Sequence, residues 1–291
     1  MNKIHIGYPK TASTFLQKHI YTQLRYHKFI GHKEFVESGM FDMLWKIERS
    51  IDYEKITRYL KGRAYFISFE EITGPSLQGA IIMDEMPLRL KKALNEDVKV
   101  LITIRRQDDL IKSIYLQYLH LGGTLRLKKV VNNPNFGQSR IDVNAYNFYE
   151  TYKNYCRQFG PENVRVIPYE LLKYDKLVFK DLLEDFFECE SFNFEISKDE
   201  NRSIKGSQIN FLRFVNNFLS SWVSEKYIFP SKIFNQNNFR LRLQRSNFLR
   251  FGKSFNSEEA VFLKDILESF HSSNKLLDEE LKLNLKQYGY Y

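Results

Sequence analysis

The residues best equipped for chemistry stand near the start of the chain, in Pro9-Lys10-Thr11-Ala12-Ser13-Thr14-Phe15. Lys10 offers a full positive charge, and Ser13 and Thr14 offer hydroxyl donors. An apolar run from Lys3 to Tyr8 precedes them, and Leu16, Ile20 and Leu24 follow at helical spacing. The stretch therefore reads as strand, tight turn and helix. A helix N-terminus presents unpaired N–H groups and a partial positive charge, so a phosphate or a sulfate is the ligand this set would hold. The lysine precedes the hydroxyl pair and Ala12 stands where a second glycine is expected, which departs from the Gly-x4-Gly-Lys-Ser/Thr pattern and disfavours a plain nucleotide triphosphatase. Should the turn need a left-handed residue at position 12, alanine would be strained there.

A second anion site is legible further on. Arg105 closes the strongest strand signal, Val98 to Arg105, and Ser113 lies eight residues later in the second turn of the helix expected over Gln107 to Leu121. A guanidinium and a hydroxyl at one crevice edge can both bond a phosphate. Glu70 and Glu71 end another apolar strand, Ala64 to Glu70, and a carboxylate there could act as a base if partial burial raised its pKa. Tyr169 ends the strand Val164 to Tyr169. Of the six histidines, His32 in the early loop is the alternative base; His5 reads as a packed strand residue, and His19, His120 and His271 as helix-face residues without a convergent partner.

These groups need a scaffold that brings strand ends together. Strands alternate with helices over Pro87 to Leu94, Asn144 to Phe159, Leu177 to Phe187 and Ser207 to Trp222, which implies a central parallel sheet flanked by helices, joined by right-handed crossovers. In such sheets ligands bind outside the carboxyl ends of the strands. Gly31 to Gly39 is expected to be irregular, and Lys128 to Arg140 a polar loop. Asn256-x-x-Glu259 looks like a capping box opening a helix through Phe270, and Ser272-Ser273-Asn274 is expected to break it before a last helix. With no internal repeat and no Gly/Ser-rich linker, residues 1–291 read as one α/β domain, with 1–218 carrying the motifs and 219–291 forming a helical, basic C-terminal part.

At 43% hydrophobic residues and 15% aromatics the chain is globular rather than disordered. Its formal net charge of +9 points to anionic partners. Two cysteines, Cys156 and Cys189, make neither a disulfide framework nor a zinc site. No signal peptide and no membrane span is apparent, so a cytoplasmic protein is expected. The segment Arg240 to Lys253 holds Arg240, Arg242, Arg245, Arg250 and Lys253 without an acidic residue; it could hold an acidic glycan or a membrane surface, or be a solvated face. No recognised nucleic-acid motif accompanies it.

Pro9-Lys10-Thr11-Ala12-Ser13-Thr14 resembles the phosphosulfate loop of the sulfotransferases that use 3′-phosphoadenosine 5′-phosphosulfate (PAPS), with Ala12 in place of the family's glycine. Arg105 to Ser113 resembles the arginine and serine with which that family holds the 3′-phosphate, although Gln107 replaces its usual proline. Val166-Ile167-Pro168-Tyr169-Glu170-Leu171-Leu172 resembles its strand ending in Tyr-Glu-x-Leu, Asn201-Arg202-Ser203 before the Ser207 helix is similar to a later element, and Lys205-Gly206 could reach a phosphate. The resemblance runs discontinuously from Lys3 to Phe218 and implies the P-loop nucleotide-kinase-like sulfotransferase fold. It implies PAPS as donor and 3′,5′-ADP as product, with no metal, and a carbohydrate or glycan hydroxyl, less readily an amine, as acceptor. It further assigns Lys10, Thr11, Ala12, Ser13, Thr14, Phe15, Arg105, Ser113 and Tyr169 to nucleotide binding, Lys10 to the leaving phosphate oxygen, and Glu70 to the base, with Glu71 and His32 as alternatives. Two other functions fit the residues alone: a nucleotide or sugar kinase with ATP and magnesium on Asp108 and Asp109, and a basic module that binds polyanions without catalysis.

Overall fold

The computed structural model describes all residues except 63, 95–96, 135–138, 189–190, 195–203, 205, 220–238, 240, 244–245, 247, 250 and 253. Cys189, Asn201, Arg202, Ser203 and Lys205 lie outside the described residues, as do Arg240, Arg245, Arg250 and Lys253 of the basic segment; Arg242 is described and exposed.

Five strands form the sheet: β1 (Asn2–Gly7), β2 (Lys28–Ile30), β3 (Tyr65–Ser68), β4 (Val98–Ile104) and β5 (Val164–Pro168). Their order is β2-β3-β1-β4-β5, and every pair is parallel. Register is set by Ile4 opposite both Ile67 and Val100, and by Thr103 opposite Ile167. Both faces are covered, so the inner strands are nearly continuous apolar runs rather than alternating ones. Ile4, Ile6, Val100, Ile102 and Ile104 face a cluster shared with the helices Met86–Leu94, Gln107–His120 and Phe148–Phe159. Phe66, Leu101 and Ile167 face the opposite side, where Phe15, Leu16, Ile20 and Tyr21 meet Phe179, Leu183 and Phe187 of the helix Lys176–Phe187.

The chain leaves β1 toward β2 on one side and later crosses to β4 on the other, so the β1/β4 boundary is where connections diverge. A ligand crevice belongs there. β2 was not expected, because three residues at the sheet edge with an exposed Lys28 are too few to show a period. The expected irregular segment after Gly31 holds a helix, His32–Glu37, started by the Glu34 carboxylate accepting the Gly31 N–H at 3.3 Å.

Toward the end of the chain, Asn256 and Glu259 cap each other at the start of the helix Ser257–Ser269. The following helix is His271–Leu281, so Ser272-Ser273-Asn274 lies inside its first turn instead of breaking the chain; the break falls at Phe270. Leu263, Ile266, Phe270, Leu277, Leu285 and Tyr290 join the same buried cluster as β1 and β4. Among the described residues no helix is long and apolar enough to cross a membrane.

Candidate active site

β1 ends at Gly7, where a Cβ would come within 2.8 Å of the His5 ring and 3.2 Å of the Thr103 hydroxyl. Glycine is needed for that approach. The turn that follows places Lys10 at φ 65° and Ala12 at φ 66°, both left-handed, before the helical residues Ser13–Phe15, which continue as a π-helical turn over Leu16–Ile20. Left-handed residues in such a turn can aim backbone amides at a concavity, a nest suited to an anion. Alanine at φ 66° is the strain anticipated for position 12, and strain of this kind collects at ligand loops.

Thr11 differs from its neighbours. Its N–H donates to the Tyr8 carbonyl at 3.3 Å, and its hydroxyl donates to the same carbonyl at 2.6 Å and meets the Thr103 hydroxyl at 2.8 Å. Both of its donors therefore point into the protein, and Thr11 braces the loop from below. Lys10, Ala12, Ser13, Thr14 and Phe15 line a cleft of about 810 Å³ together with Glu70, Arg105, Ser113 and Tyr169. Strands β1, β3, β4 and β5 thus each deliver a group to one cleft from their carboxyl ends.

Charge in the cleft is mixed but predominantly positive near the loop. Burial lowers the Lys10 pKa below the ordinary lysine value, Glu70 opposes that shift and Arg105 adds to it. Lys10 is accordingly within electrostatic reach of both. Arg105 donates to the Lys10 carbonyl at 3.0 Å, and its guanidinium sits 4.9 Å from the Tyr169 ring centre. That cation–π contact helps hold the guanidinium, which lines the cleft. Arg106 is turned away: it holds Asp108 at 2.7 and 3.0 Å and Asp109 at 3.3 Å, so the two aspartates considered for magnesium are ion-paired with it. Among the described residues no group of three or more His, Cys, Asp or Glu side chains is arranged to hold a metal ion.

Of the three candidate bases, Glu70 alone lines this cleft. Burial and the Glu70 charge raise the Glu71 pKa, while His32 lowers it, which places Glu71 and His32 as neighbours. His32 packs its ring edge against Phe69 at 5.3 Å. His120, expected to have no convergent partner, also lines the cleft, with Lys112, Gln117 and Asp109. Its signal was present: Asp109, Ser113, Gln117 and His120 are spaced four, four and three residues apart, one face of one helix.

Beneath the loop runs a buried polar chain. Gln17 Nε2 donates to the Ser68 hydroxyl at 3.1 Å, His5 Nδ1 meets that hydroxyl at 2.9 Å, and His5 Nε2 meets the Thr103 hydroxyl at 3.0 Å, which reaches Thr11. Burial pushes the His5 pKa down to about 3, so the ring is neutral and each nitrogen has a partner. His5 is therefore packed, as its strand position suggested, yet it also cross-links β1, β3 and β4 under the nest.

No family model matches the chain, and no curated protein matches it. Solved structures do. A sulfotransferase from Alicyclobacillus acidocaldarius is similar with a TM-score of 0.50 and 17% identity, over 68% of this chain and 87% of that one. Mouse sulfotransferase SULT7A1 complexed with PAP is similar with a TM-score of 0.43 and 12% identity, over 97% of this chain and 88% of that one. The sulfotransferase domain from the curacin biosynthetic pathway gives a TM-score of 0.36 and 12% identity over 91% and 96%. The all-parallel sheet flanked by helices, together with the likeness to the first of these structures, gives this chain the sulfotransferase fold.

Proposed function

We propose that the chain is a PAPS-dependent sulfotransferase that modifies a hydroxyl of a carbohydrate or related acceptor. The observation that carries this reading is the gathering of Lys10, Ser13, Thr14, Arg105 and Ser113, five cationic or hydroxyl donors, with the Glu70 carboxylate in a single cleft, whose other carboxylate, Asp109, is paired with Arg106. The donor set fits a nucleotide bearing two separate phosphates: the loop and its amides suit the 5′-phosphosulfate, and Arg105 with Ser113 suits a 3′-phosphate at a distance from it. PAPS would supply a sulfuryl group on a good leaving phosphate.

The chain's own residues account for the rest. Lys10 is held beside the anion nest, where its ammonium neutralises the charge that develops on the departing phosphate oxygen. Tyr169 supports Arg105 from one face and offers its ring to the adenine. Glu70 takes the acceptor's proton as the acceptor oxygen forms its bond to sulfur and the sulfur–phosphate oxygen bond breaks. Gln117 and His120, on the helix face beyond Ser113, extend the polar wall of the cleft.

Incubation with sulfur-labelled PAPS and a panel of neutral and acidic oligosaccharides tests the proposal. Label should move to acceptor with the native protein, and Glu70→Gln should slow transfer by about 10² to 10⁴-fold. Transfer that persists unchanged in Glu70→Gln would remove Glu70 from the reaction.

A further inference from the structure

The last residues of the sequence pass under the turn that carries Arg105. Glu170, adjacent to the Tyr169 that supports Arg105, is buried and holds two partners: its Oε1 accepts the Arg106 N–H at 3.0 Å and its Oε2 accepts the Tyr290 hydroxyl at 2.7 Å. Tyr290 is fully buried. Its carbonyl accepts from Asn274 Nδ2 at 3.0 Å, and Asn274 exchanges two amide hydrogen bonds, 2.8 and 3.1 Å, with Gln107, which begins the helix bearing Ser113. The Tyr288 carbonyl accepts from Arg106 at 3.4 Å, and the Tyr291 hydroxyl donates to Asp278 at 2.8 Å. The strap thus contacts Glu170 and Tyr174 just after β5, the β4 turn at Arg106, and the helix His271–Leu281 that anchors it, whose Asn274 bonds the start of the Gln107–His120 helix.

Glu170 also lies within electrostatic reach of Arg105. Arg105 is thus exposed to the field of a buried carboxylate as well as to that of a ligand phosphate in the cleft. We infer that Tyr290 is a positioning residue that, by occupying the second oxygen of Glu170, keeps this carboxylate from neutralising Arg105 and so sets the cleft's preference for a 3′-phosphorylated nucleotide. The inference rests on the nucleotide reading above. Without the Tyr290 hydroxyl, a buried carboxylate oxygen loses its donor; of the two arginines within its electrostatic reach, Arg106 is already paired with Asp108 and Asp109, which leaves the arginine that the phosphate needs.

Calorimetric titration of the native protein with 3′,5′-ADP and with AMP, which lacks the 3′-phosphate, tests this. The native protein should bind 3′,5′-ADP more tightly. Tyr290→Phe should reduce that ratio about fivefold, because one charge-assisted hydrogen bond is removed, while AMP affinity stays constant. Tyr290→Phe/Glu170→Gln should regain the native ratio, since glutamine still accepts from the Arg106 N–H but no longer competes for Arg105. An unaltered ratio in Tyr290→Phe, equal losses for both nucleotides, or a double variant no better than the single one would each overturn the inference. Should Tyr290→Phe not fold, Glu170→Gln alone decides: a ratio at or above the native value supports the inference, and a fall overturns it. A native protein without preference for 3′,5′-ADP would instead overturn the nucleotide reading, and the inference with it.

Discussion

At the scale of single residues, the loop between β1 and its helix joins two backbone conformations that L-residues adopt reluctantly to one desolvated cation. Ala12 at φ 66° carries a left-handed penalty on the order of 1–2 kcal/mol that glycine would not, part of which glycine's looser unfolded state returns. Ala12→Gly should therefore stabilise the protein by about 1 kcal/mol, seen as a higher urea midpoint at constant m. A lower midpoint would mean that the Ala12 side chain contributes more packing than its strain costs. Lys10 makes a prediction of the opposite kind, about binding. Its pKa is depressed by burial, and only its protonated form holds a phosphate, so affinity for 3′,5′-ADP should decline as pH rises toward and through that lowered value, earlier than an ordinary lysine would allow. Lys10→Arg, charged throughout, should flatten this alkaline limb in titrations between pH 7 and pH 10. An equally steep limb in the arginine variant would assign the titration to another group.

At the scale of elements, β1, β3, β4 and β5 were legible because each is an apolar run long enough to stand out, and each ends in the residue the site uses: the Lys10 loop, Glu70, Arg105 and Tyr169. β2 and the His32–Glu37 helix were not, since their stability comes from pairing with β3 and from the Glu34 cap rather than from a pattern of their own. Ser272-Ser273-Asn274 misled for a physical reason: residues that favour caps and turns also suit the first turn of a helix, and Asn274 is fixed there by Gln107. The His5 cross-link was legible as a buried strand residue but not as a connector, because Ser68 and Thr103 come from strands 63 and 98 residues away. Its linkage to pH has a definite sign. The folded pKa, about 3, is below the unfolded value of 6.5, so the His5 contribution is complete above pH 6.5 and is lost as pH falls from there toward 3. Between pH 7.5 and pH 5 the native protein should lose on the order of 2 kcal/mol through this group. His5→Gln, weaker overall, should show a flatter stability profile across that interval in urea melts; a profile parallel to the native one would show that His5 is not the group responsible. At the Asn256 cap, Asn256→Ala should cost about 1 kcal/mol in the same assay.

At the scale of the whole molecule, the helices near the end of the chain share one buried cluster with the sheet's central strands, and through Asn274, Tyr290 and Glu170 they reach the turn that holds Arg105. Sequence reading had no match beyond Phe218, because buttressing of this kind is made by amide and hydroxyl contacts between distant segments and leaves no local spacing to recognise. The net charge of +9 gives the molecule a field that attracts anions, so on the proposed reading nucleotide affinity should also weaken with salt. The central claim, that the strand-end cleft is a site for a nucleotide phosphorylated at both 3′ and 5′ positions, is tested most directly by thermal unfolding with saturating 3′,5′-ADP beside equal AMP. At about one hundred times the dissociation constant, 3′,5′-ADP should add roughly 2.7 kcal/mol and raise the melting temperature by on the order of 5 °C, an effect that Lys10→Ala or Arg105→Ala sharply reduces. An AMP shift as large as that of 3′,5′-ADP, or no shift with either nucleotide, would contradict it.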